Sequence, residues 1–301
     1  MSVAVLLMAY GSPETLDDVE AYYTHIRGGR PPSPELLEEL LGRYRAIGGR
    51  SPLTDITRRQ AAVLEKTLAA QGTTARVFVG MKHARPFIAD VVREMAEEEI
   101  THAVSLALAP QFSRLSVGAY IHAIEEVCPP ALRFDHIKTW HDHPGFVAAL
   151  AARVRQAVTQ FGDSPYVVFT AHSLPERILT WNDAYPAEVH RSAEEVARAA
   201  QIARWTVAYQ SAGRTPEPWL GPNLEVTIQK LYTSGERAVV VCPVGFVADH
   251  LEVLYDLDVE ARALATRLGI RFERTTMLND DPAFISALAD LIASPLRQRV
   301  I

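Results

Sequence analysis

Cysteine is almost absent from this chain: Cys128 and Cys242 are the two in 301 residues, and no CxxC pair exists. Neither a structural zinc site nor a four-cysteine iron–sulfur cluster is therefore indicated. Cys242 lies in an apolar run and reads as a core residue. Long hydrophobic runs are missing as well. The opening stretch from Met1 to Tyr10 is apolar but too short to cross a bilayer, and it lacks a basic segment before it. It reads as a first buried strand, and the expected setting is soluble and cytoplasmic. Positive charge is not in excess: 30 Lys and Arg stand against 36 Asp and Glu, a net charge of −6. With no basic block, nucleic acid is not an expected partner. No GxGxxG follows the first strand and no Walker A pattern occurs, which disfavours dinucleotide and nucleotide enzymes.

Apolar, strand-like runs recur at 3–8, 76–80, 102–109, 133–139, 166–170, 204–209, 238–244 and 271–274. Helical patterns at 34–47, 57–70, 87–98, 146–161 and 186–200 separate them. Strand alternating with helix argues for parallel sheets with crossover helices. Eight strands could close a barrel. Two sheets of four fit better, because the run ending at Tyr10 and the run ending at His172 are each followed by a turn with Ser and Pro. The expected fold is α/β, two similar Rossmann-like lobes, each a four-stranded parallel sheet flanked by helices. The boundary is placed near Lys138–Pro144, giving lobes of 1–138 and 139–301, with a last helix from Pro282 that packs back across the first lobe. His141 and His143 flank Asp142 in this linker and read as surface histidines.

Two segments carry chemistry. In Asp249-His250-Leu251-Glu252-Val253-Leu254-Tyr255-Asp256-Leu257-Asp258-Val259-Glu260, five acids and a His follow a strand. Read as an α-helix, Glu252, Asp256 and Glu260 sit at i, i+4 and i+8 on one face. Like charges so spaced repel, and a cation or proton traffic along the stripe would explain them; a solvated helix face would too. Asp258 points off the stripe and reads as bland. In Tyr166-Val167-Val168-Phe169-Thr170-Ala171-His172-Ser173-Leu174-Pro175, a His stands where a strand ends. Open parallel sheets bind ligands at that end. A His beside a carboxylate cluster is a functional candidate.

These two segments resemble the signature blocks of ferrochelatases, which insert ferrous iron into a porphyrin. TAHSLPERI and CPVGFVADHLEVLYDLDVEA match them. The likeness extends through MAYGSPETLDDVEAYYTHIRGGRPP, RYRAIGGRSPL, VGMKHARPFI, LAPQFSRLSVGAY and YQSAGRTPEPWLGP. The Tyr of MAYGSP is typical of the Gram-positive-type enzymes that use coproporphyrin III. The resemblance implies two Rossmann-like lobes with a cleft between, His172 and Glu252 as the central metal-handling and proton-accepting pair, and Asp249 and His250 as residues that orient Glu252. It implies an acidic route outward through Asp256 and Glu260, and Tyr10 facing the ring as an axial ligand from the opposite lobe.

Imidazole with carboxylate suits this chemistry, since it accepts protons near neutral pH and binds ferrous iron without the grip of four thiolates. For the substrate carboxylates the expected partners are Arg27, Arg30, Arg45, Lys82 and Arg114, with Ser51, Ser116 and Tyr120 as neutral donors. His83 is a cleft candidate, and Trp219 a cleft wall. Where relatives carry HIRRGR, this chain reads His25-Ile26-Arg27-Gly28-Gly29-Arg30, so Gly28 removes one anchor. The expected substrates are coproporphyrin III and ferrous iron, with no permanently bound cofactor and no iron–sulfur cluster. A monomer in passing contact with other heme-pathway enzymes is expected. A protoporphyrin IX ferrochelatase and a cobalt or nickel chelatase of related fold stand as alternatives. A two-lobed periplasmic binding protein shares the strand–helix alternation but would need a secretion signal.

Overall fold

The computed structural model describes residues 3–162 and 164–297. In the first half, β1 (Val3–Ala9), β2 (Arg76–Met81), β3 (His102–Ala107) and β4 (Arg133–Ile137) form a parallel sheet in the order β2-β1-β3-β4. In the second, β5 (Tyr166–His172), β6 (Trp205–Gln210), β7 (Ala238–Cys242) and β8 (Arg271–Arg274) repeat that order as β6-β5-β7-β8. The reason is visible in the runs themselves. Ala4 to Leu7 and Val239 to Cys242 are fully buried, as strands covered by helices on both faces must be.

Ten α-helices surround the sheets among the described residues: α1 (Val19–Ile26), α2 (Pro34–Ala46), α3 (Leu53–Ala70), α4 (Ile88–Glu97), α5 (Val117–Glu125), α6 (Pro144–Val158), α7 (Tyr185–Ala200), α8 (Leu224–Thr233), α9 (Arg262–Leu268) and α10 (Pro282–Arg297). Their ends are written in the chain. Ser33 accepts from the Leu36 amide with Pro34 at the first turn of α2, Asn223 accepts from the Val226 amide at α8, and Gly269 at φ 71° ends α9.

One apolar cluster runs through both halves, from Val5 and Leu7 of β1 to Phe169 of β5 and Val240 of β7. The stretch between β4 and α6 belongs to it. Trp140 is 2 % exposed, packs on Phe146 and Phe284, and donates from Nε1 to the Ala107 carbonyl. His141, expected on the surface, is buried instead, because this segment threads beneath α7, where Ser192 Oγ donates to its carbonyl. Helix α10 lies against α3 and α6.

The repeated strand order creates the site. In each sheet the chain leaves the first strand for one neighbour and later returns on its other side, so a crevice opens at the carboxyl ends. Tyr10 follows β1 there, and His172 closes β5, where a strand end was expected. The loop after β7 comes close to it: the Gly245 amide donates to the Thr170 carbonyl. A Cβ on Gly245 would stand 2.6 Å from Ala171 Cβ and 2.8 Å from its Cα. Gly245→Ala therefore forces apart β5 and the loop leading to Asp249. It is expected to cost about 1–3 kcal/mol of stability and to lower activity, as chemical denaturation and turnover of the folded variant will report.

Candidate active site

His172 ends β5 with its backbone fixed, as the Tyr185 hydroxyl donates to its carbonyl at 2.8 Å. Its ring is fixed too: Nδ1 donates to the Ser173 carbonyl, which leaves Nε2 facing Glu252 Oε1 at 3.5 Å. His250 approaches the other oxygen, with Nε2 3.5 Å from Glu252 Oε2 and Nδ1 donating to the Ala248 carbonyl at 3.0 Å. The Phe246 ring backs His250 at 4.9 Å. Both His172 and Glu252 keep a third of their side-chain surface accessible.

Burial opposes charge on this pair, and mutual attraction prevails. Desolvation works against the His172 imidazolium, but the Glu252 carboxylate, the Ser173 carbonyl and Asp256 together push it up to about 9. Desolvation likewise disfavours the Glu252 anion, yet His172 and His250 hold its carboxyl well below the usual range. At neutral pH the pair rests as imidazolium and carboxylate, with its proton on His172.

The acidic segment is wound differently from expectation. Val253–Ala261 is a π-helix, not an α-helix. Its i→i+5 bonding puts residues four and five apart on one side, so Asp256 follows Glu252 inward while Val253, Leu257 and Ala261 enter the core. Asp256 is 4 % exposed and accepts hydrogen bonds from Ser211 Oγ and, at 3.4 Å, Gln210 Nε2. Burial, then Glu252, pushes it up to about 7, although Ser211 and Arg43 pull it down. The middle of the stripe is thus a buried acid that titrates near neutrality rather than a hydrated surface step. Glu260 is exposed at the outer end, raised by desolvation against the opposing pull of Arg43. Asp249 turns away from Glu252 to Arg274 and Asn279, and Asp258, read as bland, takes both forks of Arg274.

From the first half, Tyr10 stands 41 % exposed with its ring 4.5 Å from His83. Desolvation and then the Glu252 charge raise its phenol. His83 is pushed down to about 3 by burial, Lys82 and His25, and its Nδ1 meets His25 Nδ1 at 2.9 Å. Lys82 lies 5.5 Å from the Tyr120 ring, and burial lowers its pKa.

Arg27 and Arg30 each donate from Nε to the other's carbonyl across Gly28-Gly29. The Arg114 amide donates to Asp183 at 2.8 Å, but the charged ends of Arg27, Arg30, Lys82 and Arg114 pair with no carboxylate among the described residues. The Ser116 hydroxyl is buried without a partner among them.

Three expected contacts are otherwise engaged. Arg45 pairs with Glu38 on the exposed face of α2. Ser51 is buried and accepts from the Leu53 amide at 3.3 Å. Trp219 donates to Thr215 at 3.0 Å and covers Gly213. Arg43 and Tyr44 of α2, missed from sequence, bear on the site. Arg43 lies over the Tyr255 ring at 5.3 Å and its charge bears on Asp256 and Glu260. Tyr44 is 2 % exposed and feels Glu252 and Tyr10. The spacing of Arg43 four residues after Glu39, with which it pairs, was the available signal.

The ferrochelatase family profile spans residues 2–296. The chain belongs to the ferrochelatase family. It is 42 % identical to the coproporphyrin III ferrochelatase of Bacillus subtilis, covering 98 % of each chain. It is also 42 % identical to the ferrochelatase of Deinococcus radiodurans, covering 96 % of this chain and 95 % of that one. The fold matches that of SirB from Bacillus subtilis, solved with Fe3+, at a TM-score of 0.56 and 14 % identity, covering 99 % of this chain and 98 % of that one. CbiX matches at 0.56 and 14 %, covering 97 % and 98 %. At such identity those structures share the chelatase fold alone. As a ferrochelatase the chain inserts a metal ion into a porphyrin, with Fe2+ as a substrate. No helix among the described residues is long and apolar enough to cross a membrane.

Proposed function

We propose that the chain inserts ferrous iron into coproporphyrin III, with His172 and Glu252 as the reacting pair. The observation that carries the substrate is that Arg27, Arg30, Lys82 and Arg114, among other cations of the first half, have charged ends that pair with no carboxylate among the described residues. Four propionates of coproporphyrin can use four such partners, whereas protoporphyrin IX offers two. Relatives named coproporphyrin III ferrochelatase, from Bacillus subtilis among others, support the same reading, as does Tyr10.

The reaction exchanges two pyrrole protons for one dication. Glu252 and the Nε2 side of His172 face the cleft, with Tyr10 across from them. With the cation near, the His172 proton would leave by way of Asp256, which frees the pair to accept one pyrrole proton and, once that too has been passed outward, the second. Asp256, poised near neutrality, then receives protons from the pair and passes them toward Glu260 and solvent.

The deciding assay is anaerobic ferrous iron with each porphyrin, followed by absorbance. Coproporphyrin III is expected to turn over faster; equal or better turnover of protoporphyrin IX without detergent would overturn the substrate assignment.

The proton inventory also sets a pH profile. Because His172 is raised to about 9, neutral imidazole is the minor form at pH 7 and grows about tenfold per pH unit. Insertion should therefore rise with pH up to an apparent value near 9. Glu252→Gln removes the charge that raises it, and the residual activity should level off at lower pH, toward the ordinary imidazole value of about 6.5. A wild-type limb already at the ordinary value would show that the pair does not hold its proton this way.

A further inference from the structure

Arg274, the last residue of β8, has 14 % of its side chain exposed and reaches both flanks of Glu252. Its Nε and Nη2 donate to the two oxygens of Asp258 at 2.8 Å each. Nη2 also reaches Asp249 Oδ1 at 3.1 Å. Asp249 precedes Glu252 in the chain, and Asp258 follows it inside the π-helix. The second oxygen of Asp249 accepts from Asn279 Nδ2 at 2.8 Å, and the Asp249 amide donates to Asn279 Oδ1 at 2.8 Å.

Asn279 is itself tied to the first half. It sits at φ 47°, a left-handed conformation that Asn tolerates better than most residues. Its carbonyl accepts from the side-chain amide of Gln60, a fully buried residue of α3, at 2.7 Å. Next to it, Asp280 pairs with Arg59 of α3 at 3.1 Å. A continuous polar chain thus runs Gln60, Asn279, Asp249, Arg274, Asp258, from a helix of the first half to the back of the segment that bears Glu252.

Two physical facts give this chain work to do. A π-helix is rare because an α-helix of the same residues usually competes with it. A planar fork held on two carboxylates fixes direction as well as distance, which a single ammonium does not. We propose that Arg274 and Asn279 are positioning residues for metal insertion: together they hold the Glu252 segment in its π winding and in register with the half that carries Tyr10. The proposal rests on the reading that Glu252 acts at the reacting centre.

The test uses the full chain with Arg274→Gln, Arg274→Lys, Asn279→Ala, Asp258→Asn and the Arg274→Gln/Asp258→Asn double variant, with Glu252→Gln alongside. Thermal melts establish which are folded at the assay temperature. Porphyrin binding is read by fluorescence, and kcat and KM for ferrous iron from anaerobic insertion.

A misplacement of about 1 Å costs on the order of 10²-fold in rate, so folded Arg274→Gln should lose kcat on that scale while porphyrin affinity stays within about twofold. Arg274→Lys should recover part of the loss, Asn279→Ala should lose kcat in the same manner, and the double variant should be no worse than Arg274→Gln, since residues acting through one contact are not additive. Folded variants with lowered melting temperature but unchanged kcat would reduce the network to a structural role and overturn the proposal, as would additive losses in the double variant. If Arg274→Gln does not fold, Arg274→Lys and Asn279→Ala decide by the same criteria. Full activity in Glu252→Gln would instead remove the reading on which the proposal rests, an outcome separate from loss in Glu252→Gln with none in the Arg274 variants.

Discussion

Glu252→Gln is expected to lower the insertion rate about 10²–10⁴-fold, the range of a lost general base, without restoration by excess iron. The substitution keeps the shape of the side chain and removes its charge. In the native pair that charge faces Nε2 of His172 at 3.5 Å and is shared with His250. An amide there neither accepts a proton nor attracts a dication, so binding and proton transfer fail together. The substitution also relieves the electrostatic pressure on Asp256, whose raised value depends on burial and on Glu252. Its carboxyl should therefore titrate lower in the variant, a shift that carboxyl resonances can follow.

His172→Ala is expected to abolish insertion while the fold persists. The ring is partly exposed at a strand end and contributes little packing. The contacts that hold this point are made by the backbone: the Tyr185 hydroxyl on the His172 carbonyl, and the pairing of His172 with Gln210 in the β5–β6 register. A cooperative melt near that of the parent, with absent turnover, is the expected result. Near-normal turnover in the variant would show that the proton acceptor lies elsewhere.

The alternation of buried runs and amphipathic helices made both sheets legible, because strands covered on two faces can be little else. That His172 and the acid cluster share one end of the sheet was legible, because a His at a strand end and acids after a later strand of the same half lie where parallel strands point the same way; the choice of Glu252 within the cluster came from the resemblance to ferrochelatases. The π winding was not legible. Acids four apart and buried Val253, Leu257 and Ala261 four apart fit an α-helix equally well, and the contacts the segment makes with Arg274 of β8 come from a strand distant in sequence. The exchange of Arg45 for Arg43 has a similar origin: two residues apart on a helix means opposite faces, and the inward face of α2 is fixed by the π-helix it meets. The burial of His141 was hidden by its polar neighbours, since only the path of the chain under α7 places it inside.

The inner-to-outer order along Glu252, Asp256 and Glu260 is tested most directly by anaerobic insertion into coproporphyrin III across a ferrous iron titration, comparing Glu252→Gln, Asp256→Asn and Glu260→Gln. Glu260→Gln should approach the parent rate at high iron, Asp256→Asn should recover in part, and Glu252→Gln should stay low at every concentration. A Glu252→Gln enzyme no worse than Glu260→Gln would contradict it.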